Sequence, residues 1–216
     1  GASDNVIGGS AAGEGNVISG SISTGGGICL CGSSPRTIIQ GNYIGTNAAG
    51  TAALPHTNAG IFITAGSDNT VIGDSVAGAG NVISGGVGGI FVNAATGTQI
   101  KGNKIGTDIA GTTALPNTYS GITIVNSANN TLIGGTTAAA RNVISGNAQY
   151  GITVESSTSG TQIQGNYIGT NAAGTGALAN AWSGIRLIYS VTNTTIGGTT
   201  TGAGNLVSGN GGHGIT

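Results

Sequence analysis

Short aliphatic words separated by small polar residues fill the chain from one end to the other. Ile122-Thr123-Ile124 is typical, with apolar, polar and apolar positions in turn. That period of two is the signature of a strand with one buried face. Gly, Ser, Asn and Thr stand between the words and read as turns. No stretch keeps a 3.6-residue period long enough to predict a helix. Strands are expected at 121–124, 131–134 and 142–145, and again at 151–154, 161–164 and 166–169.

The words recur in a fixed order. Gly-Asn-x-Ile-Gly-Thr stands at Gly41, Gly102 and Gly165. Asn-x-(Ile/Val)-Ser stands at Asn16, Asn81, Asn142 and Asn205. Thr-x-Ile-Gly begins at Thr70, Thr131 and Thr194, and Gly-Ile at Gly27, Gly60, Gly89, Gly121, Gly151 and Gly184. Equivalent words lie 61 to 65 residues apart. Each such repeat splits at its Gly-Ile words into two halves with three short strands apiece. This predicts an all-β fold, a β-solenoid of about seven coils with three short strands per coil and a double-coil repeat of about 62 residues. At ~4.8 Å per coil the stack is roughly 34 Å long. Extra residues enter at two corners in alternate coils, at 136–141 on one side and at 47–59, 108–120 and 171–183 on the other. Leu54, Leu115 and Leu178 are the expected anchors of the longer loops.

Three isoleucine rows are assigned inward. They run through Ile28 to Ile185, Ile39 to Ile196, and Ile18 to Val207. The asparagines at 16, 42, 81, 103, 142, 166 and 205 sit two positions before the third row, so they share its side. Asn16, Asn42, Asn81, Asn103, Asn142, Asn166 and Asn205 are therefore expected to stack as an internal amide ladder. Thr37, Thr70, Thr98, Thr131, Thr161 and Thr194 are expected to form a similar column at another corner. Gly precedes most of the ladder asparagines, as a corner with φ > 0 would require; Arg141 departs from that rule.

Composition narrows the classes. Gly supplies 45 of 216 residues but with no Gly-x-y period, so collagen is excluded. Apolar residues reach 38%, too many for a disordered linker. Only five Lys and Arg are present, too few to track a phosphate backbone, so no nucleic-acid partner is expected. No apolar run is long enough for membrane insertion. The whole of 1–216 reads as one solenoid array, an excerpt of a longer repeat chain.

Inward aliphatic rows, short strands and an Asn ladder at a turn resemble the right-handed parallel β-helices of the pectate-lyase-like superfamily. The words Ile-Gly-Gly, Asn-Val-Ile-Ser-Gly-Asn and Gly-Asn-x-Ile-Gly-Thr are similar to repeats of large secreted or surface-attached bacterial β-helix proteins. The likeness covers essentially the whole chain. It implies the fold strongly and the function weakly, because the superfamily includes polysaccharide lyases, hydrolases, adhesins and filaments.

Candidate chemistry is sparse. The acids Asp4, Glu14, Asp68, Asp74, Asp108 and Glu155 fall on different rows and mostly different coils. No pair has the spacing of a glycosidase, so no catalytic residue, metal ligand or cofactor is assigned. Glu155 and Arg186 are expected to form a diagonal surface ion pair. His56 and His213 are isolated. Cys29 and Cys31 fall on one outward face with Leu30 turned inward. They read as too near and too extended to bridge each other. They are therefore candidate intermolecular thiols, with free thiols under a loop or subunit as the plainer reading and a metal site as a third.

The outward positions vary most. Beside the Asn column they include Tyr43 and Tyr167, and on the Gly-Ile wall Phe62 and Phe91 are neighbours. These four are the candidate contact residues. The expected function is a structural extracellular or cell-surface β-solenoid of an adhesin, stalk or filament. Its partners would be copies of itself or flanking repeats, and no catalysis is expected in this segment. The alternative is a polysaccharide-cleaving or glycan-binding module. Corner loops closing over the outward rows would remove much of the apolar surface.

Overall fold

The computed structural model of the chain describes residues 1–216 and is a parallel β-helix. Three parallel sheets form its walls. The first, here the Thr wall, has seven strands from Val6–Gly8 to Thr195–Ile196. The second, the Asn wall, has seven from Val17–Ile18 to Leu206–Val207. The third, the Gly-Ile wall, has six from Ile28–Leu30 to Ile185–Ile188. Each strand pairs with its equivalent one coil on, never with its neighbour in sequence. The register is constant: Ile39 faces Ile72, Ile72 faces Ile100, and Ile100 faces Ile133.

A strand of two to four residues cannot bury its own isoleucine. Stacking does that. The three predicted rows supply most of one core cluster of 23 buried residues, with Ile18, Ile196 and Val207 at the ends only partly buried against it. Most of its isoleucines are fully inaccessible. Each contributes about 1.5–3 kcal/mol of burial before entropy is counted. The insertion at 136–141 contains the only helical turn, a 3₁₀ segment at Ala138–Ala140 capped by the Thr137 hydroxyl. No helix is long and apolar enough to cross a membrane.

The predicted Asn ladder is present in full. Nδ2 of Asn16, Asn42, Asn81, Asn103, Asn142 and Asn166 each donates to Oδ1 of the next rung, at 2.9 to 3.1 Å. The same Oδ1 accepts the backbone N–H of the preceding asparagine, as Asn42 Oδ1 does from Asn16 at 3.0 Å. The second Nδ2 hydrogen reaches a core isoleucine carbonyl, Ile72 in the case of Asn103. Each buried amide is thereby satisfied, which is the condition for keeping it out of water.

Three local expectations need correction. The Thr column is buried from Thr37 to Thr161 and half-buried at Thr194, but no hydroxyl bonds to the next. Thr37, Thr70 and Thr131 donate to the carbonyl three residues back in their own coil. Thr98, Thr161 and Thr194 have no partner. A hydroxyl has one hydrogen, and the local carbonyl is within easier reach than a neighbour ~4.8 Å away.

The Gly before the ladder has positive φ only at Gly41, Gly102 and Gly165. In the other half-repeat Gly15 and Gly80 are needed for space, because a Cβ there would run into the carbonyls of Gly41 and Gly102. Arg141 occupies that same position with an ordinary φ of −63°. It turns the clash into a contact, its Nε donating to Gly165 O at 3.1 Å.

The leucine anchors are not buried. Leu54 is 47% exposed. The long loops are held instead through their backbone. Leu54 N donates to Gly45 O, and Gly20 N donates to Leu54 O; Leu115 and Leu178 repeat both bonds. At the loop tips an Asx turn does the rest, with Asn47, Asp108 and Asn171 accepting N–H groups four residues on. For Asp108, burial pushes its carboxyl up, but the N–H groups of Thr112 and Thr113 outweigh it and hold the pKa below the ordinary value.

Candidate functional site

A second amide column lies at the far end of the Asn wall, where the long loops rejoin the coil. Asn117 Nδ2 donates to Asn147 Oδ1 at 2.9 Å, Asn147 to Asn180 at 2.8 Å, and Asn180 to Asn210 at 2.9 Å. Sequence reading passed over this column. Its signal was the last letter of Asn142-Val-Ile-Ser-Gly-Asn147, repeated as Asn205 to Asn210. The column loses its spelling toward the N-terminal side. Gly86 takes a rung through its backbone N–H, which donates to Asn117 Oδ1 at 3.0 Å. His56 takes the next. Its Nδ1 accepts from Ser21 N–H at 3.2 Å, and its Nε2 lies 3.1 Å from Ile18 O. His56 is thus a buried structural rung, 2% exposed, with both ring nitrogens engaged.

The second column explains the Gly of the Gly-Ile words. A Cβ on Gly151 would lie 2.6 Å from Gly184 O and 3.0 Å from Asn180 Nδ2. Gly27, Gly89 and Gly184 face the same kind of crowding from His56, Asn117 and Asn210. These glycines make room for the column.

The outward rows divide. On the Asn wall, Val82 and Val143 are buried and Tyr43, Lys104 and Tyr167 are half-buried, because the corner loops close over them. The Arg141 guanidinium lies 4.0 Å above the Tyr167 ring. Tyr43 lines two shallow clefts beside those loops. On the Gly-Ile wall the floor stays open. Phe62 and Phe91 stack with ring centres 5.2 Å apart and planes 6° from parallel.

Phe91, Thr123, Thr153 and Arg186 continue along that floor by strand register. Beside them stand side chains from the turns before each Gly-Ile strand, Tyr119 and Tyr150 among them. Together they enclose a groove of about 290 Å³. Trp182 meets Tyr150 edge to face at 5.0 Å, and Arg186 sits 4.8 Å above the Tyr150 ring. Glu155 also lines the groove. Register sets Glu155 and Arg186 on the expected diagonal, but their ion pair does not form, because the Arg186 guanidinium turns over the Tyr150 ring instead. The chain's one ion pair joins Arg36 to Asp4. That exposed hydrogen bond, with a smaller one from Ser3, lowers the Asp4 pKa to about 2.

The acids are dispersed among turns. Glu14 accepts from Ala11 N–H, Asp68 from Thr96 N–H, and Asp74 from Ser75 N–H. No three His, Cys, Asp or Glu side chains gather as a metal cluster. Cys29 and Cys31 lie exposed on one face with Leu30 buried between them, as read from the sequence. Their expected separation is corrected. The Cα atoms are only 5.2 Å apart, and the two sulfurs are brought against each other. The backbone bends as it leaves the strand at Leu30, which brings the pair together.

No curated protein and no solved structure was found to match the chain. One family model does, across residues 52–212, about three quarters of the length: NosD, described as periplasmic copper-binding protein. Its family is one of parallel β-helix proteins, in agreement with the three-walled solenoid seen here. The chain belongs to the NosD family.

Proposed function

We propose that this chain is a structural β-solenoid of the cell envelope or cell surface, a segment of an adhesin, stalk or filament that packs against flanking repeats or copies of itself. One observation carries the reading. Core rows and the first amide column run through every coil without interruption, and every acid but Glu155 is spent on turns or one exposed ion pair. The periplasmic description of the family supports export from the cytoplasm. A net charge of −1 leaves little repulsion between copies. Electron microscopy and light scattering over a concentration series test the proposal. Rods that lengthen or bundle with concentration are expected. A monodisperse monomer at every concentration overturns it.

The copper named in the family description does not fit the matched part of this chain. Residues 52–212 contain no Cys and no Met. Their one histidine, His56, has no free ring nitrogen. No step is therefore assigned to copper there.

The groove on the Gly-Ile wall favours a second reading, glycan binding. Stacked Phe62 and Phe91 offer aromatic surface, and Thr123, Gln149, Glu155 and Arg186 supply hydrogen-bonding groups along the same face. Titration with a panel of neutral and acidic oligosaccharides tests it. Binding abolished by Phe91→Ala supports the groove. Failure of the whole panel to bind, or binding indifferent to that change, removes it.

A further inference from the structure

The fold leaves apolar side chains over at one corner, where the long loops rejoin the Gly-Ile wall. Leu54, Tyr119 and Trp182 are each about half exposed there. Their placing is periodic. Leu54, Leu115 and Leu178 recur once per double coil. Tyr119 and Trp182 stand two residues after Asn117 and Asn180, again one double coil apart. The coil between them carries no long loop and sets a half-buried Gln149 at the same place. Backbone bonds fix this order. Tyr119 N donates to Val87 O at 2.7 Å, Trp182 N to Gln149 O at 3.0 Å, and Gly212 N to Trp182 O at 2.9 Å. The corner is therefore corrugated, with a ridge on every second coil, ~9.6 Å apart, and a gap between ridges.

Two charges stand beside it without a partner. Glu155 and Arg186 are the charged residues of the groove. They lie one coil apart on the wall, and the chain's single ion pair is elsewhere. A partner that fills this face must repeat at the same double-coil spacing and carry an acid and a base one coil apart. The chain itself meets both conditions.

We propose that this corner and the adjoining Gly-Ile wall dock a second copy of the chain, antiparallel, about a two-fold axis that crosses between the coils of Gly151 and Gly184. The inference rests on the self-packing proposed above and names its lateral face. Such an axis sets each ridge of one copy against a gap of the other, Trp182 against the coil of Gln149. It also sets Glu155 of each copy at the level of Arg186 of the other. Both charges are then paired, twice over, as a self-complementary contact requires.

Sedimentation of the whole chain over a concentration series, at low salt, tests this. Glu155→Arg and Arg186→Glu each place like charges across the axis and should weaken association about tenfold or more. The double variant Glu155→Arg/Arg186→Glu restores opposite charges and should return association to near the wild-type value. Trp182→Ala should weaken it as well. Far-ultraviolet dichroism should be the same in every variant. Single charge variants that associate like the wild type, or a double variant as weak as the singles, overturn this face and leave the scaffold proposal standing. A wild type that is monomeric at every concentration removes both. An oligosaccharide that binds the groove without dissociating the pair gives the groove to a glycan and overturns the docking.

Discussion

His56 and Asn117 hold equivalent rungs of the second amide column, one double coil apart. His56 Nε2 meets Ile18 O at 3.1 Å where Asn117 Nδ2 meets Ile83 O at 3.3 Å. His56 Nδ1 accepts from Ser21 N–H as Asn117 Oδ1 accepts from Gly86 N–H. An imidazole can stand in for an amide here only while Nδ1 is unprotonated.

That condition makes stability depend on pH. Burial pushes the His56 pKa below its ordinary value, and the contact with Ile18 O pulls weakly the other way. The unfolded chain takes up its proton near pH 6.5, and the folded chain only at lower pH. Between those points the unfolded state binds more protons, so stability falls as pH falls. Urea unfolding from pH 7.5 to 5 should show this loss in the wild type. His56→Asn should flatten the slope and be no less stable at pH 7.5. Equal slopes in the two proteins would remove His56 from the account.

Within the first column, position should set the cost of a lost rung. Asn103→Ala strands the Asn81 amide and backbone N–H, both of which donate to Asn103 Oδ1, in a fully buried setting. A loss of about 3 kcal/mol is expected. Asn16→Ala, at an exposed rung, should cost less than about 1 kcal/mol. Denaturant midpoints compare the two directly, and similar losses would contradict the burial argument.

Glycines of equal appearance should respond differently. Gly151→Ala forces a methyl to within 2.6 Å of Gly184 O and 2.8 Å of Ile168 Cγ2. Overpacking of that kind costs about 1–3 kcal/mol. Gly204→Ala meets nothing within 4 Å and needs no positive φ. It should be neutral or stabilising by up to about 1 kcal/mol. Thermal melts of the two variants decide.

The Thr column offers a paired test. Thr161 Oγ1 is buried without a partner, whereas Thr131 Oγ1 donates to Ala128 O at 3.0 Å. Thr161→Val should stabilise by about 1 kcal/mol, and Thr131→Val should destabilise by a similar amount. The same sign in both variants would show that the hydroxyls are not what distinguishes them.

The walls and first column were legible because their residues repeat at a fixed offset from the isoleucine rows. Asn103 and Ile105 could be placed by counting. The second column escaped because its rungs change identity. Ser21, Gly86 and Asn147 share one place, and His56 shares another with Asn117. Backbone N–H groups and an imidazole did there what amides do elsewhere. The loop leucines misled for a related reason. Leu54 is recurrent, but its backbone makes the attachment while its side chain stays half in solvent. Phe62 and Phe91 could be paired by register alone. Tyr119, Tyr150 and Trp182 could not, because they come from turns of unequal length before the strands.

Every amide in both columns points the same way. Nδ2 always faces the next coil in sequence and Oδ1 the previous one. The N-terminal side of any coil therefore offers oxygen and the C-terminal side offers N–H. A contact between two copies that continued the columns would have to join unlike sides, since like sides would set acceptor against acceptor. Such a contact is heterologous and does not close on two molecules. The asparagine column acts as an arrow along the axis, so any fibre built on it has a front and a back, with chemically different growing tips.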